Sequence, residues 1–128
     1  MESRKEILIN VYFDKSVEAF ESAEILLNNN KHKSASNRIY YAVFYTVCAL
    51  AEKHDYITAK HTQMMGWFNK KFIYEDKIFD IELSKIYRDT FNYRQESDYN
   101  KAYNSTMEKA TELFHRAKYF IETVRTKI

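Results

Sequence analysis

The sequence predicts an all-α protein, an antiparallel helical bundle of about five helices, and three observations carry that prediction. Its 128 residues hold no proline and one glycine, Gly66, so the turn residues that β-hairpins and sandwiches need are missing. Apolar residues recur at alternating spacings of three and four, the period that keeps one face of a helix apolar. Capping patterns stand before two of these stretches, where a hydroxyl and a carboxylate can satisfy the free backbone amides of a first turn.

The first helix follows a possible capping box, Ser3-Arg4-Lys5-Glu6, and carries Ile9, Phe13, Val17, Phe20, Ala23 and Leu27 on one stripe. The polar run Asn28-Asn29-Asn30-Lys31-His32-Lys33 ends it. Asparagine tolerates the left-handed conformation that closes helices, and lysine favours a helix C-terminus.

Ser34 or Ser36 is placed to cap a second helix, over about Ser36 to Lys53. Apolar groups surround it: Ile39, Ala42, Val43, Thr46 and Leu50 on one stripe, Tyr41, Tyr45 and Cys48 on another, Phe44, Val47 and Ala51 on a third. A helix apolar all round belongs at the centre of a bundle or in a dimer interface.

Near Asp55 the chain enters a loop, and Thr58 can cap a third, shorter helix bearing Met64, Met65, Trp67, Phe68, Phe72 and Ile73. Tyr74 to Lys77 reads as a connector. A fourth helix from about Asp80 to Glu96 sets Leu83, Tyr87, Thr90, Phe91 and Arg94 on neighbouring turns of one face, so Arg94 points along the apolar side. Tyr99 to Asn104 is a short connection. Ser105-Thr106-Met107-Glu108 is a second capping box, and Met107, Ala110, Phe114, Ala117, Ile121, Val124 and Ile128 give the last helix its seam.

Length fits one domain over residues 1–128, long enough for a real core. Apolar residues at 45% and charged residues at 30% are a globular composition, unlike that of disordered chains. The net charge of +2 is carried by scattered residues, so any nucleic-acid function has to be local rather than a bulk attraction to DNA. No apolar run approaches the roughly 20 residues that span a bilayer, and the N-terminus lacks the apolar stretch of a signal peptide. A cytoplasmic protein with no membrane partner is expected.

Cys48 is the lone cysteine and sits in the apolar stretch Tyr41 to Leu50, where it reads as a small core residue. There is no glycine-rich phosphate loop, no Cys-x-x-Cys and no His-Glu-x-x-His, and the four histidines, His32, His54, His61 and His115, lack ligand spacing. No metal and no cofactor are therefore expected. Asp14 and Glu18 lie four apart, a spacing common on solvated faces.

Tyr93-Arg94-Gln95-Glu96-Ser97-Asp98-Tyr99 differs, because it joins a guanidinium, a carboxylate and a phenol where a helix ends. Arginine offers a planar fork of donors to phosphate, tyrosine can stack on a base, and aspartate can orient either. A plainer role is open too: Asp98 ties down the loop by an ion pair with an arginine and Tyr99 plugs the core. Arg38, Tyr41 and Tyr45 fall at i, i+3 and i+7 of the second helix. They line a polar pocket if they face Arg94, or Arg38 pairs with Asp98 while the tyrosines fill a wide gap between helices. His61, in the first turn of the third helix, could reach a ligand there or serve as a local hydrogen-bond partner.

At these residues the chain resembles the HEPN domain family, small helical bundles often encoded beside minimal nucleotidyltransferases. Ser36-Asn37-Arg38-Ile39-Tyr40-Tyr41-Ala42-Val43-Phe44 is similar to the family's Ser-x-Arg-x-Tyr-Tyr-Ala segment. Lys60-His61 with Phe68 and Phe72 resembles its next helix, and Arg94-x-x-x-Asp98-Tyr99 its Arg-x-x-x-Asp-Tyr signature. The resemblance implies about five helices, a homodimer, and a role in RNA or nucleotide biology or in toxin-antitoxin pairs. It further implies that many relatives are endoribonucleases with an Arg-x4-6-His motif. Here Tyr99 stands where the nearest such histidine would be, and His115 lies on another helix.

The expectation is thus a non-catalytic module that engages a nucleotide, RNA or a partner nucleotidyltransferase through Arg94, Asp98 and Tyr99, with Arg38, Tyr41 and His61 as neighbours. The alternatives are an RNA-cleaving toxin in which Arg94 and Tyr99 act, and a purely structural dimerisation module. Tyr99 could also receive a nucleotide from the partner enzyme.

Overall fold

The computed structural model describes Met1–Ile128 in full. Five α-helices follow in order: α1 (Arg4–Asn28), α2 (His32–Lys53), α3 (His61–Phe68), α4 (Ile81–Tyr99) and α5 (Met107–Arg125). A π-helical extension, Asn69–Glu75, continues α3. No strand interrupts them.

The sequence placed α2 correctly at the centre. Twelve of its residues, from Ala35 to Ala51, are buried, and it packs against α1, α3, α4 and α5. Its neighbours α1 and α4 run antiparallel to it: Lys5 at the start of α1 meets Asp55 just past the end of α2 at 3.0 Å, and Asn37 near the start of α2 meets Asp98 at the end of α4 at 3.3 Å. The core is a cluster of 25 buried residues drawn from all five helices, the extension and, at Phe79, the turn before α4. Tyr40, Phe68, Phe72, Tyr87 and Phe120 are its largest members. Cys48 lies in it as expected, and burial pushes its thiol up to about 12, which keeps it protonated and inert.

Several local expectations are corrected. The buried stripe of α1 runs through Ser16, Ala19, Ala23 and Leu27; Val17 is exposed, because small residues let α1 approach α2 closely and Ser16 bonds Thr46 and the Ala42 carbonyl at 2.8 Å. The second helix begins inside the polar run, at His32. Asn30 takes the left-handed conformation at φ 59°, so three residues suffice to reverse the chain, and Ser36 bonds the Lys33 carbonyl at 2.6 Å instead of capping. Thr58 braces the approach to α3 through the Lys60 amide and Gln63, while Lys60 holds the N-cap position and makes no side-chain cap. The expected connector at Tyr74 is still helical, since the π turn runs on to Glu75 and ends with the Asp76 amide on the Lys71 carbonyl.

The ends of α4 and α5 matter for the site. Asp80 caps α4 by accepting from the Glu82 amide at 3.0 Å. That helix runs on to Tyr99, so Asp98 and Tyr99 are its last turn and not the start of the connection. Thr106, not Ser105, caps α5, accepting from the Lys109 amide at 3.1 Å. Ser105 is bonded instead to the Tyr93 hydroxyl, which ties the connection down onto α4. No helix is long and apolar enough to cross a membrane.

Candidate functional site

Arg94 sits on the α2-facing side of α4, its side chain only 15% exposed. Asp98, one turn on, accepts from its Nε at 3.1 Å. Three phenol rings surround the guanidinium: Tyr40 at 5.7 Å, Tyr41 at 5.3 Å and Tyr99 at 5.7 Å from its central carbon. Cation–π attraction holds a partly desolvated guanidinium in such a cage. Its Nη2 has only a long contact, 3.5 Å, to the Tyr99 hydroxyl.

Arg38 does not pair with Asp98. Its Nε and Nη2 donate to Asn37 Oδ1 at 3.0 and 2.7 Å, and Asn37 in turn donates to Asp98 at 3.3 Å. Arg38 is 5.2 Å from the Tyr41 ring, so Tyr41 has a guanidinium within cation–π range from each of two helices. Tyr45 continues the line but leads away from the site, towards Tyr12 and Lys15 of α1.

His61, the first residue of α3, joins the same group. Its ring stacks on Phe44 at 4.1 Å and lies 5.7 and 5.8 Å from the rings of Tyr40 and Tyr41. Its Nδ1 shares a 2.8 Å hydrogen bond with the Tyr40 hydroxyl. Burial, and then the nearby charge of Arg94, hold its pKa below the ordinary histidine value, so the imidazole is neutral near pH 7. Burial raises the Tyr40 phenol well above its usual range.

An open cleft of about 590 Å³ lies over these residues, lined by Tyr41, Lys60, His61, Thr62, Phe91, Arg94, Gln95 and Tyr99. Tyr99 is 70% exposed at its rim. A second cavity of about 320 Å³ between α4 and α5 also holds cations, Lys109 and Arg116. Those are already engaged: Lys109 donates to the Tyr103 hydroxyl at 2.6 Å, and Arg116 pairs with Asp89 at 3.0 Å and Glu82 at 3.5 Å. In the Arg94 cleft, by contrast, Nη1 of Arg94 makes no hydrogen bond and Nη2 only the long one to Tyr99. No group of three or more His, Cys, Asp or Glu is arranged to hold a metal ion.

The structure therefore brings Arg94, Asp98, Tyr99, Tyr41 and His61 together, and links Arg38 to them through Asn37. Sequence reasoning put Phe44 and Phe91 on apolar helix faces and Asn37 and Tyr40 in the family-like segment, but named none of them as site residues. The i, i+4 pairs Asn37/Tyr41 and Tyr40/Phe44 were the available signal, since each shares a helix face with its partner.

Relatives match nearly the whole chain. A Thermotoga maritima protein named "UPF0332 protein" is 31% identical over 126 residues, 98% of this chain and 95% of its own. A Methanocaldococcus jannaschii protein named "Putative toxin" is 30% identical, covering 98% of this chain and 84% of the relative. A second protein of that organism with the same designation is 26% identical over 91% of this chain and 86% of its own length. The HEPN domain matches residues 9–127, a span that takes in α2 to α5, most of α1 and the whole cleft, and the chain belongs to the HEPN domain family.

Proposed function

We propose that the Arg94 cleft binds single-stranded RNA, and that the chain acts through it as one partner of a cytoplasmic toxin-antitoxin pair. The carrying observation is the guanidinium of Arg94, caged by three phenol rings with Nε held by Asp98. Its terminal donors suit a phosphate, and the exposed ring of Tyr99 beside it suits an unstacked base. Lys60 and Arg38 add positive charge around a cleft within the range of about 300–1,000 Å³ typical of ligand sites. The names of the two Methanocaldococcus jannaschii relatives support the toxin side of the reading. The homodimer rests on the family resemblance.

Fluorescence anisotropy with a labelled single-stranded RNA tests the reading. The wild-type chain binds, and Arg94→Ala weakens binding about tenfold or more and lowers the salt slope by about one. Equal binding by a folded Arg94→Ala protein overturns it. An intact-mass measurement of protein expressed with a nucleotidyltransferase separates the other reading, favoured by the exposed Tyr99 hydroxyl near Arg94: there a nucleotide adduct on Tyr99 appears and RNA binding does not.

A further inference from the structure

A further cavity of about 300 Å³ opens between α1, α2 and the loop before α3, and His61 lines both it and the Arg94 cleft. Its walls carry the rings of Tyr12, Tyr45 and Tyr56, with Lys15, Glu52 and the buried Cys48 between them. Tyr12 and Tyr45 lie 26° from parallel with centroids 6.5 Å apart, and Tyr56 is held by stacking on Trp67 at 4.7 Å. Fixed aromatic rings are platforms for nucleobases, since every base has a π-face.

Two opposite charges stand among these rings. Tyr45, Cys48 and Glu52 follow one another on α2 at spacings of three and four, so they share a helix face. Lys15 of α1 rests over the Tyr45 ring at 5.5 Å. Burial is the first cause of the raised pKa of both Tyr12 and Cys48; the charges of Cys48 and then Glu52 add to it at Tyr12, and that of Lys15 opposes it at Cys48. The ammonium and the carboxylate therefore act on the same small space. Neither side chain forms an ion pair or a hydrogen bond within the chain, although Glu52 is half-buried. A carboxylate there repels a phosphate and an ammonium repels a cation. What suits both is a neutral ring with donors on one part of its edge and an acceptor on the next.

Resting on the RNA-binding reading above, we propose that this cavity is a second nucleotide subsite, which takes a guanine base of the strand whose phosphate Arg94 holds. Guanine carries O6, N1–H and the N2 amine side by side on one edge. The two oxygens of Glu52 accept from N1–H and N2–H together, and the Lys15 ammonium donates to O6. Adenine, cytosine and uracil each set a single donor group on that edge, so each leaves one carboxylate oxygen unmatched. Arg94 positions the strand and the Glu52 pocket reads it, the usual division between phosphate and base contacts.

Fluorescence anisotropy on the full-length protein tests this with three labelled single-stranded uridine oligomers: one with a central guanosine, one with inosine at that place, and one with neither. Wild-type protein binds the guanosine oligomer about tenfold more tightly than the all-uridine one, and the inosine oligomer, which lacks the 2-amine, falls between. Glu52→Gln, checked for folding by circular dichroism, brings the guanosine-to-uridine ratio close to one, and Lys15→Met lowers it. Arg94→Ala weakens both oligomers and keeps the ratio. A wild-type ratio of one overturns the inference and leaves the Arg94 proposal standing. A folded Glu52→Gln or Lys15→Met protein that keeps the full ratio overturns it too. Free guanosine monophosphate that competes as well as the guanosine oligomer assigns the pocket to a lone nucleotide and overturns the strand reading. Binding of none of the oligomers overturns both proposals.

Discussion

Asp98 holds Arg94 by Nε alone, at 3.1 Å across one turn of α4, so the guanidinium is aimed without its terminal donors being consumed. Asp98→Ala is expected to lower stability by about 1 kcal/mol, as for a partly buried pair, and to weaken RNA binding severalfold while Arg94 is still present. Denaturant titration and anisotropy on the same protein check both.

Arg94→Lys keeps the charge and loses the planar fork. Three rings pack around that plane, and an ammonium cannot lie flat against them or grip phosphate by two parallel bonds. Binding should fall nearly as far as in Arg94→Ala, which anisotropy at one fixed salt concentration reads directly.

Tyr87 is fully buried and its hydroxyl makes no hydrogen bond within the protein. Removing an unpaired polar group while keeping the ring should help the fold, so Tyr87→Phe is expected to raise stability by about 1 kcal/mol. A thermal melt reports the shift.

His61 and His54 are both held below the ordinary histidine value of 6.5, chiefly by burial. A lowered folded pKa means the unfolded chain takes up protons first as pH falls, so stability drops as pH passes down through about 6.5 and the loss ends below the folded values. Melting temperature should therefore fall between about pH 7.5 and pH 5. A double variant, His54→Asn with His61→Asn, should show a shallower decline.

Thr106 and Ser105 hold different things. Thr106→Ala should cost about 1 kcal/mol through the lost cap of α5. Ser105→Ala should instead free the connection from Tyr93, seen as faster amide exchange over residues 100–106 with α5 still protected. A loss of protection along α5 in Ser105→Ala would restore Ser105 as the cap.

The helices were legible because periodicity and capping chemistry are local. The centrality of α2 followed from its apolar groups on every side, and Asn30 closed its turn with the left-handed backbone that asparagine allows. What failed were the choice of Ser105 over Thr106, since Ser105 is claimed by Tyr93 twelve residues back, and the start of α2, since the Asn30 turn lets the helix begin at His32 and leaves Ser36 inside it, bonded to the Lys33 carbonyl. The cluster of Arg94, Asp98 and Tyr99 was legible as a motif, but the bridge from Arg38 through Asn37 was not, because it depends on the register of α2 against α4. His61 was named for its place at a helix start. Its place beside Arg94 could not be read along the chain, because the two stand on different helices and meet only through the rings of Tyr40 and Tyr41.

Tyr41, His61 and Arg94 stand on α2, α3 and α4 in turn, and this sets when the site comes into being. A chain is made from its N-terminus and its parts fold as they emerge. The cleft cannot exist until α4 has left the ribosome and folded back antiparallel onto α2. A product broken off before Arg94 carries no assembled site, whatever its helices do. Anything that restrains the assembled cleft in the cell therefore has to act after α4 has been made.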